Sequence, residues 1–428
     1  MRGSRRSTRC SLTPQVRQAF WANRKLRLST LTLALVLIGG FVMYQLDFHS
    51  GTLTRSMGSV PAPEPSKPTH SAATLQSATP SPSLGENNTK KPPQKVPSQN
   101  SEQTPDTMSG LAWKSGVSFP NVDAYSTAAA EETNAFGTWR DRPVDVAVAW
   151  TNRSSWTSFT NSNPLYTTWA KQPYKKVFAL PLFPENIGDT VNGCIAGNYE
   201  GHWRTFAKTM ASTGLAAQGS IIRLGWEMNL HTDWGNPAQF AACWRNIVST
   251  VKAIAPGLLW DWNVNRGSST GMPGANVLSA YPGNNYVNII GVDSYDDWPP
   301  ATTGTGWQQQ LDGPYGLDYW LAFAKEHGEK FSVPEWGVDS NVAWGDEASG
   351  DDPGYIEDMY NFFVANSAAL AFEAYFNSDG TAIYDPVQNP NSSAEYQRLW
   401  SAATTSASAS MQRSSRPISQ LSLTGKFP

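Results

Sequence analysis

Two glutamates occupy positions where the sequence could support acid–base chemistry. Glu227 follows the apolar run that ends at Leu224, and Glu335 follows the run that begins at Phe331. Each run has the character of a buried strand, and each glutamate is next to a tryptophan. A carboxylate at the end of a buried strand is costly unless it has a partner or a task. Two of them beside rings suited to sugars predict the acid/base and nucleophile of a retaining glycosidase; rim salt bridges are the alternative.

Charge is distributed unevenly along the 428 residues. The first 28 residues carry eight arginines and lysines and no acidic residue, which leaves 24 basic and 35 acidic side chains in the rest. The remainder therefore has a formal charge of −11. Because nucleic-acid binding requires a basic surface, this composition argues against nucleic acid as a partner.

An uncharged stretch of 19 residues, Leu28–Leu46, follows the basic block. At about 1.5 Å per residue it is nearly long enough to span a bilayer as a helix. The positive-inside rule predicts a basic cytoplasmic tail over 1–27, a single-pass anchor over 28–47, and an extracellular or periplasmic remainder. A cleaved signal peptide is the alternative, but the stretch exceeds the usual ~7–15 residues and no clear Ala-x-Ala site follows.

Composition divides the rest of the chain into three parts. Residues 48–108 are rich in Pro, Ser, Thr, Lys and Gln and poor in aromatics, which predicts a disordered linker. Residues 404–428 are rich in Ser and Thr and predict a disordered tail. Nearly all tryptophans lie between them, in 109–403, a length that suits one large α/β domain. Nothing in the sequence requires more than a monomer.

The three cysteines fall on both sides of the predicted membrane. Cys10 would face the reducing cytoplasm, whereas Cys194 and Cys243 would lie outside, where disulfides persist. We therefore predict a disulfide between Cys194 and Cys243, with two separate buried thiols as the alternative.

Eight apolar runs alternate with helical patterns in the 109–403 region. Such runs are expected for parallel strands that are buried on both faces. Amphipathic segments at 202–213, 237–254 and 315–327 predict helices between some of them. This order predicts a (β/α)8 barrel; an open doubly wound sheet is the alternative, but the glycine-rich phosphate loop it prefers is absent. The runs are Ser115–Phe119, Asp145–Trp150, Lys176–Leu180, Ser220–Gly225, Leu258–Asn263, Val287–Ser294, Phe331–Pro334 and Ala371–Phe376.

A barrel of this kind carries its active site at the carboxyl ends of the strands. Glu227 and Glu335 would end the fourth and seventh strands, where two carboxyl groups could stand about 5–5.5 Å apart. Hydroxyl-rich ligands require polar partners, and sugar rings pack on aromatic rings. The remaining candidates for substrate binding are Arg223, Trp226, Asn229, Trp234, Asn263, Asp293, Tyr295, Trp298 and Trp336. No metal-ligand spacing is evident, and the proposed chemistry requires no cofactor.

Three motifs carry a resemblance to a known family. The strings IIRLGWEMN, YPGNNYVNIIGVDSYD and VPEWGV resemble glycoside hydrolase family 26, the barrel enzymes best known as β-mannanases, over about residues 110–400. The resemblance implies Glu227 as acid/base, Glu335 as nucleophile and Tyr295 as the tyrosine that hydrogen-bonds the nucleophile. It implies β-1,4-mannan as the first candidate substrate. The sequence departs from many members at Trp226, where they have histidine before the acid/base.

Two other classes of protein fit parts of the sequence. A membrane-tethered carbohydrate-binding protein with weak or no turnover would share the anchor, the linker and the aromatic residues, but would not need both glutamates. A membrane glycosyltransferase shares the same order of anchor, stem and domain. Such transferases usually hold a metal with an Asp-x-Asp motif, and this chain contains none.

Overall fold

The structure is a computed structural model in which six ranges of the chain are described. The predicted cytoplasmic tail, anchor and C-terminal tail lie outside these ranges, as does the predicted linker up to residue 105. Within the described ranges, no helix has the length and apolar character needed to cross a bilayer. The ranges are 106–161, 164–185, 187–231, 233–267, 277–340 and 347–401.

Eight parallel strands, hydrogen-bonded in sequence order, close into a barrel as the first strand pairs with the eighth. Each predicted run overlaps one of these strands, so the predicted (β/α)8 barrel is confirmed for the described residues. The strands are β1 (Ser115–Ser118), β2 (Val146–Trp150), β3 (Lys175–Leu180), β4 (Ile221–Leu224), β5 (Leu259–Asn265), β6 (Ile289–Tyr295), β7 (Lys330–Gly337) and β8 (Leu370–Phe376).

Helices follow the strands and cover the outside of the barrel. The three predicted amphipathic helices are all present, and the last ends as expected at Gly328, whose φ of 74° suits glycine. The α-helices are α1 (Ala128–Trp139), α2 (Trp156–Thr160), α3 (Pro164–Trp169), α4 (Val191–Ile195), α5 (Glu200–Ser212), α6 (Pro237–Lys252), α7 (Gly306–Asp312), α8 (Leu317–His327), α9 (Pro353–Asn366) and α10 (Pro390–Trp400).

The hydrophobic core has two parts that the barrel wall separates. A small cluster joins residues of β2, β3, β4, β6 and β8, among them Val146, Ile221 and Phe372. Because these strands are not all neighbours, this cluster fills the inside of the barrel. The much larger cluster lies between the strands and the helices and holds most of the buried tryptophans. Alternation along each strand therefore sorts side chains into the inside and the outer layer.

A disulfide joins α4 to α6. Cys194 and Cys243 are bonded, with their Cα atoms 5.3 Å apart. Asn246 reinforces the same contact, since its Nδ2 donates to the backbone oxygen of Cys194 at 2.7 Å. Cys10 lies outside the described residues.

Candidate active site

Four inward-facing polar side chains meet at the carboxyl ends of neighbouring strands. Arg223 lies on β4, Asn263 on β5, Asp293 on β6 and Glu335 on β7. Arg223 lies two residues after Ile221, which belongs to the inner apolar cluster, so strict alternation points its side chain inward. The same alternation applies along β5 and β6. The end of β7 departs from this strict alternation.

A β-bulge in β7 turns Glu335 toward the inside. Val333 pairs with Glu373 of β8 and Trp336 pairs with Tyr375, so three steps of β7 oppose two of β8. The pairing of β7 with β6 shows the same extra residue on β7. Val333 and Trp336 both lie in the outer core. Without the extra residue, Glu335 would share the outward side of Val333; the bulge gives it the inward direction that the site requires.

Glu335 accepts two short hydrogen bonds, one on each carboxylate oxygen. Arg223 Nη1 donates to Oε1 at 2.7 Å, and the Tyr295 hydroxyl donates to Oε2 at 2.7 Å. Arg223 Nη2 also pairs with Asp293 Oδ2 at 2.6 Å and reaches Asn263 Oδ1 at 3.2 Å. Burial would lower the pKa of Arg223, but the charges of Asp293 and Glu335 outweigh it and raise that pKa. A permanent cation and a hydroxyl donor therefore stabilise Glu335 as a carboxylate.

Glu227, which follows the carboxyl end of β4, is in a different environment. Its backbone is left-handed, with φ 48° and ψ 42°, a conformation that non-glycine residues adopt rarely and mostly at functional sites. Its N–H donates to Asn263 Oδ1 at 2.8 Å, and its Oε1 accepts from Asn265 Nδ2 at 2.9 Å. Burial, followed by the charge of Glu335, raises its pKa to about 7. The site thus contains one glutamate that is ion-paired with an arginine and one whose carboxyl group keeps its proton to near neutrality.

Four residues predicted to bind substrate are buried. Arg223, Asn229, Asn263 and Asp293 expose at most 1% of their surface. Arg223, Asn263 and Asp293 bond to one another and to the two glutamates. Asn229 exchanges hydrogen bonds with the backbone of Asn265 at 2.8 and 2.9 Å. Their burial and their mutual hydrogen bonds favour a positioning role, while the predicted direct contact with substrate stays a prediction.

Two predicted sugar platforms are corrected. Trp336 is fully buried in the outer layer, where it stacks on Trp400 and donates to Glu373 Oε2 at 2.7 Å. The bulge that turns its neighbour inward turns Trp336 outward. Trp234 is 3% exposed and lies under His231, with the ring centroids 3.9 Å apart. Neither indole can contact a polymer at the barrel mouth.

The remaining two predicted tryptophans differ in exposure. Trp226, beside Glu227, is 7% exposed, and the guanidinium of Arg153 lies over its ring at 5.3 Å from the centroid. Trp298, three residues beyond the end of β6, is 48% exposed and is the one predicted platform whose ring is open to solvent. Burial raises the pKa of Asp297, its neighbour, to about 6, and the charge of Asp297 helps to raise the pKa of Glu227. Arg266 Nη2 donates to the backbone oxygens of both Asp297 and Tyr295, and Tyr295 bonds Glu335, so Trp298 lies on the loop beside the site.

Two aromatic residues that extend from Tyr295 are not among the predicted substrate-binding residues. The ring of Tyr295 meets Phe376 edge-on with the centroids 5.5 Å apart, and Phe376 meets Trp150 in the same way at 5.6 Å. Phe376 ends β8 in alternation with Phe372 of the inner cluster, which is the signal that could have identified it. Arg266 was also missed: its Nη2 donates to the backbone oxygens of Tyr295 and Asp297 and fixes the loop after β6.

In the described ranges, no cluster of three or more His, Cys, Asp or Glu side chains could hold a metal ion. His231, which lies near the mouth, stacks on Trp234, and burial lowers its pKa to about 4. It is therefore a neutral packing residue at physiological pH.

Comparisons with known proteins add structural likenesses at low identity. No protein-family model matches the sequence, and no curated protein matches it. A modular endo-β-1,4-mannanase of glycoside hydrolase family 26 from Cellulomonas fimi is 15% identical, with a TM-score of 0.44. That match covers 61% of this chain and 64% of the other, so the chain spans less than two thirds of that protein.

Two further mannanases, the first of them a family 26 enzyme, show similar likenesses. The catalytic domain of the endo-β-1,4-mannanase from Bacillus sp. JAMB-750 is 16% identical over 70% of this chain and 90% of that one, with a TM-score of 0.45. A β-mannanase from a symbiotic protist of the termite Reticulitermes speratus is 13% identical over 68% and 87%, with a TM-score of 0.44. Likeness of this degree establishes neither family nor activity, so the fold assignment rests on the strand pairing itself.

Proposed function

We propose that this protein is a retaining glycoside hydrolase that cleaves a β-linked polysaccharide by double displacement. The observation that carries the proposal is the contrast between the two glutamates. Glu335 is ion-paired with Arg223 at 2.7 Å, whereas the pKa of Glu227 is raised to about 7. A retaining glycosidase requires this pair: one ionised carboxylate as nucleophile and one protonated carboxyl group as acid.

In the first step, the ionised Glu335 attacks the anomeric carbon of the sugar. The glycosidic C–O bond breaks as Glu227 gives its proton to the departing oxygen, so the leaving chain departs as a neutral alcohol. The hydroxyl of Tyr295 and the guanidinium of Arg223 keep Glu335 ionised and oriented until its oxygen forms the bond to carbon. The product is a glycosyl ester on Glu335.

In the second step, Glu227 is a carboxylate and acts as the base. It takes a proton from water, whose oxygen attacks the same carbon and releases Glu335. Two inversions at one carbon retain the anomeric configuration. The proton returned to Glu227 restores the starting state, and its raised pKa makes this return favourable near neutral pH.

The open side of the site offers aromatic surfaces for sugar rings. Trp298 is 48% exposed, and the row Tyr295, Phe376 and Trp150 extends across the mouth from the nucleophile. These rings suit the apolar faces of pyranoses. The motif resemblance makes β-1,4-mannan the first candidate polymer. We further propose that residues 28–47 anchor the enzyme in a membrane, with the barrel outside the cytoplasm as a monomer.

The test measures release of reducing ends by the full chain in detergent from β-mannan, xylan and mixed-linkage glucan. We expect release from one polymer, with mannan first. Glu335→Gly and Glu227→Gly should abolish release. On a dinitrophenyl β-glycoside, whose leaving group needs no acid, azide should restore release of the phenol by each variant in a distinct way. Azide replaces the missing nucleophile in Glu335→Gly and gives an α-glycosyl azide, whereas in Glu227→Gly it attacks the glycosyl ester and gives a β-glycosyl azide.

The products of rescue separate the two roles. The reverse assignment of products would exchange the roles of the two glutamates. Release that persists in both glycine variants would refute the proposed site. Binding of one polymer without release by the wild-type chain would identify a carbohydrate-binding protein, and Trp226 in place of the expected histidine would be the first substitution to reverse.

A further inference from the structure

The turn that follows β6 presents Trp298 to solvent in a strained conformation. Trp298 has φ 44°, and its bond to Pro299 is cis. Its N–H donates to the backbone oxygen of Glu347 at 3.2 Å. A non-glycine residue in this region of backbone space persists only where the surroundings determine it.

A buried carboxyl group and a buried amide clamp the turn on both sides of Trp298. Asp296 Oδ1 accepts the N–H of Ala301 at 2.6 Å, which closes the turn. Gln310 Nε2 donates to the same Oδ1 at 2.9 Å and to the backbone oxygen of Pro299 at 2.9 Å. Asp296 and Gln310 are both fully buried. One oxygen and one amide nitrogen thus fix residues 296, 299 and 301.

Helix α7 is placed to deliver Gln310 to the turn. It begins at Gly306, and a Cβ at that position would lie 1.9 Å from the backbone oxygen of Pro300. Only glycine allows the helix to approach the turn so closely. Gln310 lies one helical turn further on, facing the same way. The approach of α7 and the clamp therefore form one arrangement.

We infer that Asp296 and Gln310 are positioning residues for glycan binding, which hold Trp298 as a sugar platform at the edge of the active site. The inference rests on the proposed function, since it names what places one wall of that site. Neither residue contacts the polymer. Their effect passes through the backbone of residues 297–301 to the exposed ring.

The two oxygens of Asp296 give the inference a sharp variant. Oδ1 carries both hydrogen bonds, whereas Oδ2 accepts none from the described residues. Burial also raises the pKa of Asp296 to about 7, so the group is largely uncharged at mildly acidic pH. Asp296→Asn keeps an oxygen in the Oδ1 position and adds no charge, whereas Asp296→Leu removes the acceptor. The clamp requires the first variant to behave as wild type and the second to fail.

The test is a double-mutant cycle on KM and kcat with the full chain at pH 6. We expect Trp298→Ala to raise KM about tenfold, the equivalent of about 1.4 kcal/mol of lost stacking. Asp296→Leu should raise KM similarly with little change in kcat, and Asp296→Leu combined with Trp298→Ala should be no worse than Trp298→Ala alone. Additive effects in the double variant would overturn the inference, as would a raised KM in Asp296→Asn.

A matched control variant and a second clamp variant keep the result separate from general destabilisation. Asp351 also caps backbone N–H groups, those of Asn391 and Ser392 at 2.8 and 2.7 Å, but on α10, so Asp351→Asn should leave KM unchanged. Should Asp296→Leu not fold, Gln310→Leu, which removes both amide hydrogen bonds, carries the same prediction.

Failure of the proposed function has its own signature. A wild-type chain that releases no sugar from any polymer would refute the hydrolase. The clamp would then be judged by retardation of the same variants in gels containing the polymer. Loss of retardation in Asp296→Leu but not in Asp296→Asn supports the inference. Equal retardation of Asp296→Leu and Asp296→Asn overturns it. A wild-type chain that no polymer retards overturns it as well.

Discussion

Two buried glutamates on adjacent strands show how the direction of a side chain decides its role. Glu335 of β7 points into the barrel, where a guanidinium and a phenol bind its oxygens. Glu373 of β8 points into the outer layer and is fully buried. Its Oε2 accepts from the indole of Trp336 at 2.7 Å, and its Oε1 accepts from that of Trp113 at 3.3 Å.

The partners of each carboxylate differ as much as its direction. Glu373 is bound by neutral indoles of its own core, the third being Trp400 at 3.4 Å, and these bonds join β7, α10 and the segment before β1 to β8. Glu335 has a full positive charge beside it and keeps about 6% of its side chain exposed, whereas Glu373 exposes none. Neutral partners that fill the hydrogen bonds of an enclosed carboxylate favour stability. A cationic partner beside a carboxylate that is not fully enclosed favours chemistry.

The comparison is tested first at Glu335. Glu335→Gln should lower kcat by about 10³-fold or more, because the amide cannot form the glycosyl ester. The free energy of unfolding should change by less than about 1.5 kcal/mol, since Arg223 keeps its ion pair with Asp293 at 2.6 Å. Product release and urea unfolding measure the two effects. A variant that unfolds easily and keeps its turnover would reverse the comparison.

Glu373 should respond in the opposite way. Glu373→Leu leaves three indole N–H groups in the core with fewer acceptors, and we expect a loss of about 3–5 kcal/mol in the free energy of unfolding. The kcat at a temperature where the variant is folded should stay within about twofold of wild type. Glu373→Gln retains one acceptor oxygen and should lose less. A large fall in kcat without loss of stability would show that the outer layer takes part in the chemistry.

The pH dependence of activity sharpens the roles within the site. The acid must be protonated, so kcat/KM should fall as pH rises through about 7, the value to which burial and the charge of Glu335 raise the pKa of Glu227. The hydrogen bond from Asn265 lowers that pKa. Asn265→Ala should therefore move the alkaline limb of the pH profile to higher pH. The control Asn284→Ala, which lies before the amino end of β6, should leave that limb in place. An alkaline limb that stays in place would assign it to another group.

The sequence predicted the barrel and placed Glu227 and Glu335 at strand ends, but it did not predict which way the neighbouring side chains point. Apolar runs and helix periodicity identified the strands because both depend on local patterns. Trp336 was assigned to the mouth because it is next to Glu335, yet an extra residue in β7 turns the two in opposite directions. A bulge depends on pairing with neighbouring strands, which no local pattern reports.

Aromatic residues near the site were misassigned for a related reason. Trp234 follows the acid/base motif closely, but the chain folds back and covers its ring with His231. Phe376 was overlooked because its neighbours in the sequence carry more polar groups, although alternation from Phe372 points it inward. Exposure is a property of the packed loops, so a rich supply of tryptophan predicted platforms without identifying them.

A third buried carboxyl group, that of Asp261, shares features with both Glu335 and Glu373 and gives the finest test of their comparison. Asp261 of β5 is fully buried inside the barrel and accepts from Ser332 Oγ at 2.8 Å. A Cβ on Gly291 would lie 2.3 Å from its Oδ1, so glycine makes room for it. Burial raises its pKa from 3.8 to about 7, against the charge of Arg223, which lowers it. Asp261 therefore resembles Glu373 in enclosure and Glu335 in its neighbour.

The sign of its contribution to stability follows from that shift. A group whose pKa is raised on folding stabilises the protein below its ordinary pKa, and this stabilisation is lost as pH rises through the folded value. Asp261→Asn has no proton to lose, so its stability relative to wild type should improve between about pH 4 and 7 by up to about 1.4 kcal/mol per pH unit. Urea unfolding at pH 5, 6 and 7 measures this slope. A difference that is constant with pH would mean that Asp261 is ionised beside Arg223, and that the cation is shared by three carboxylates rather than two.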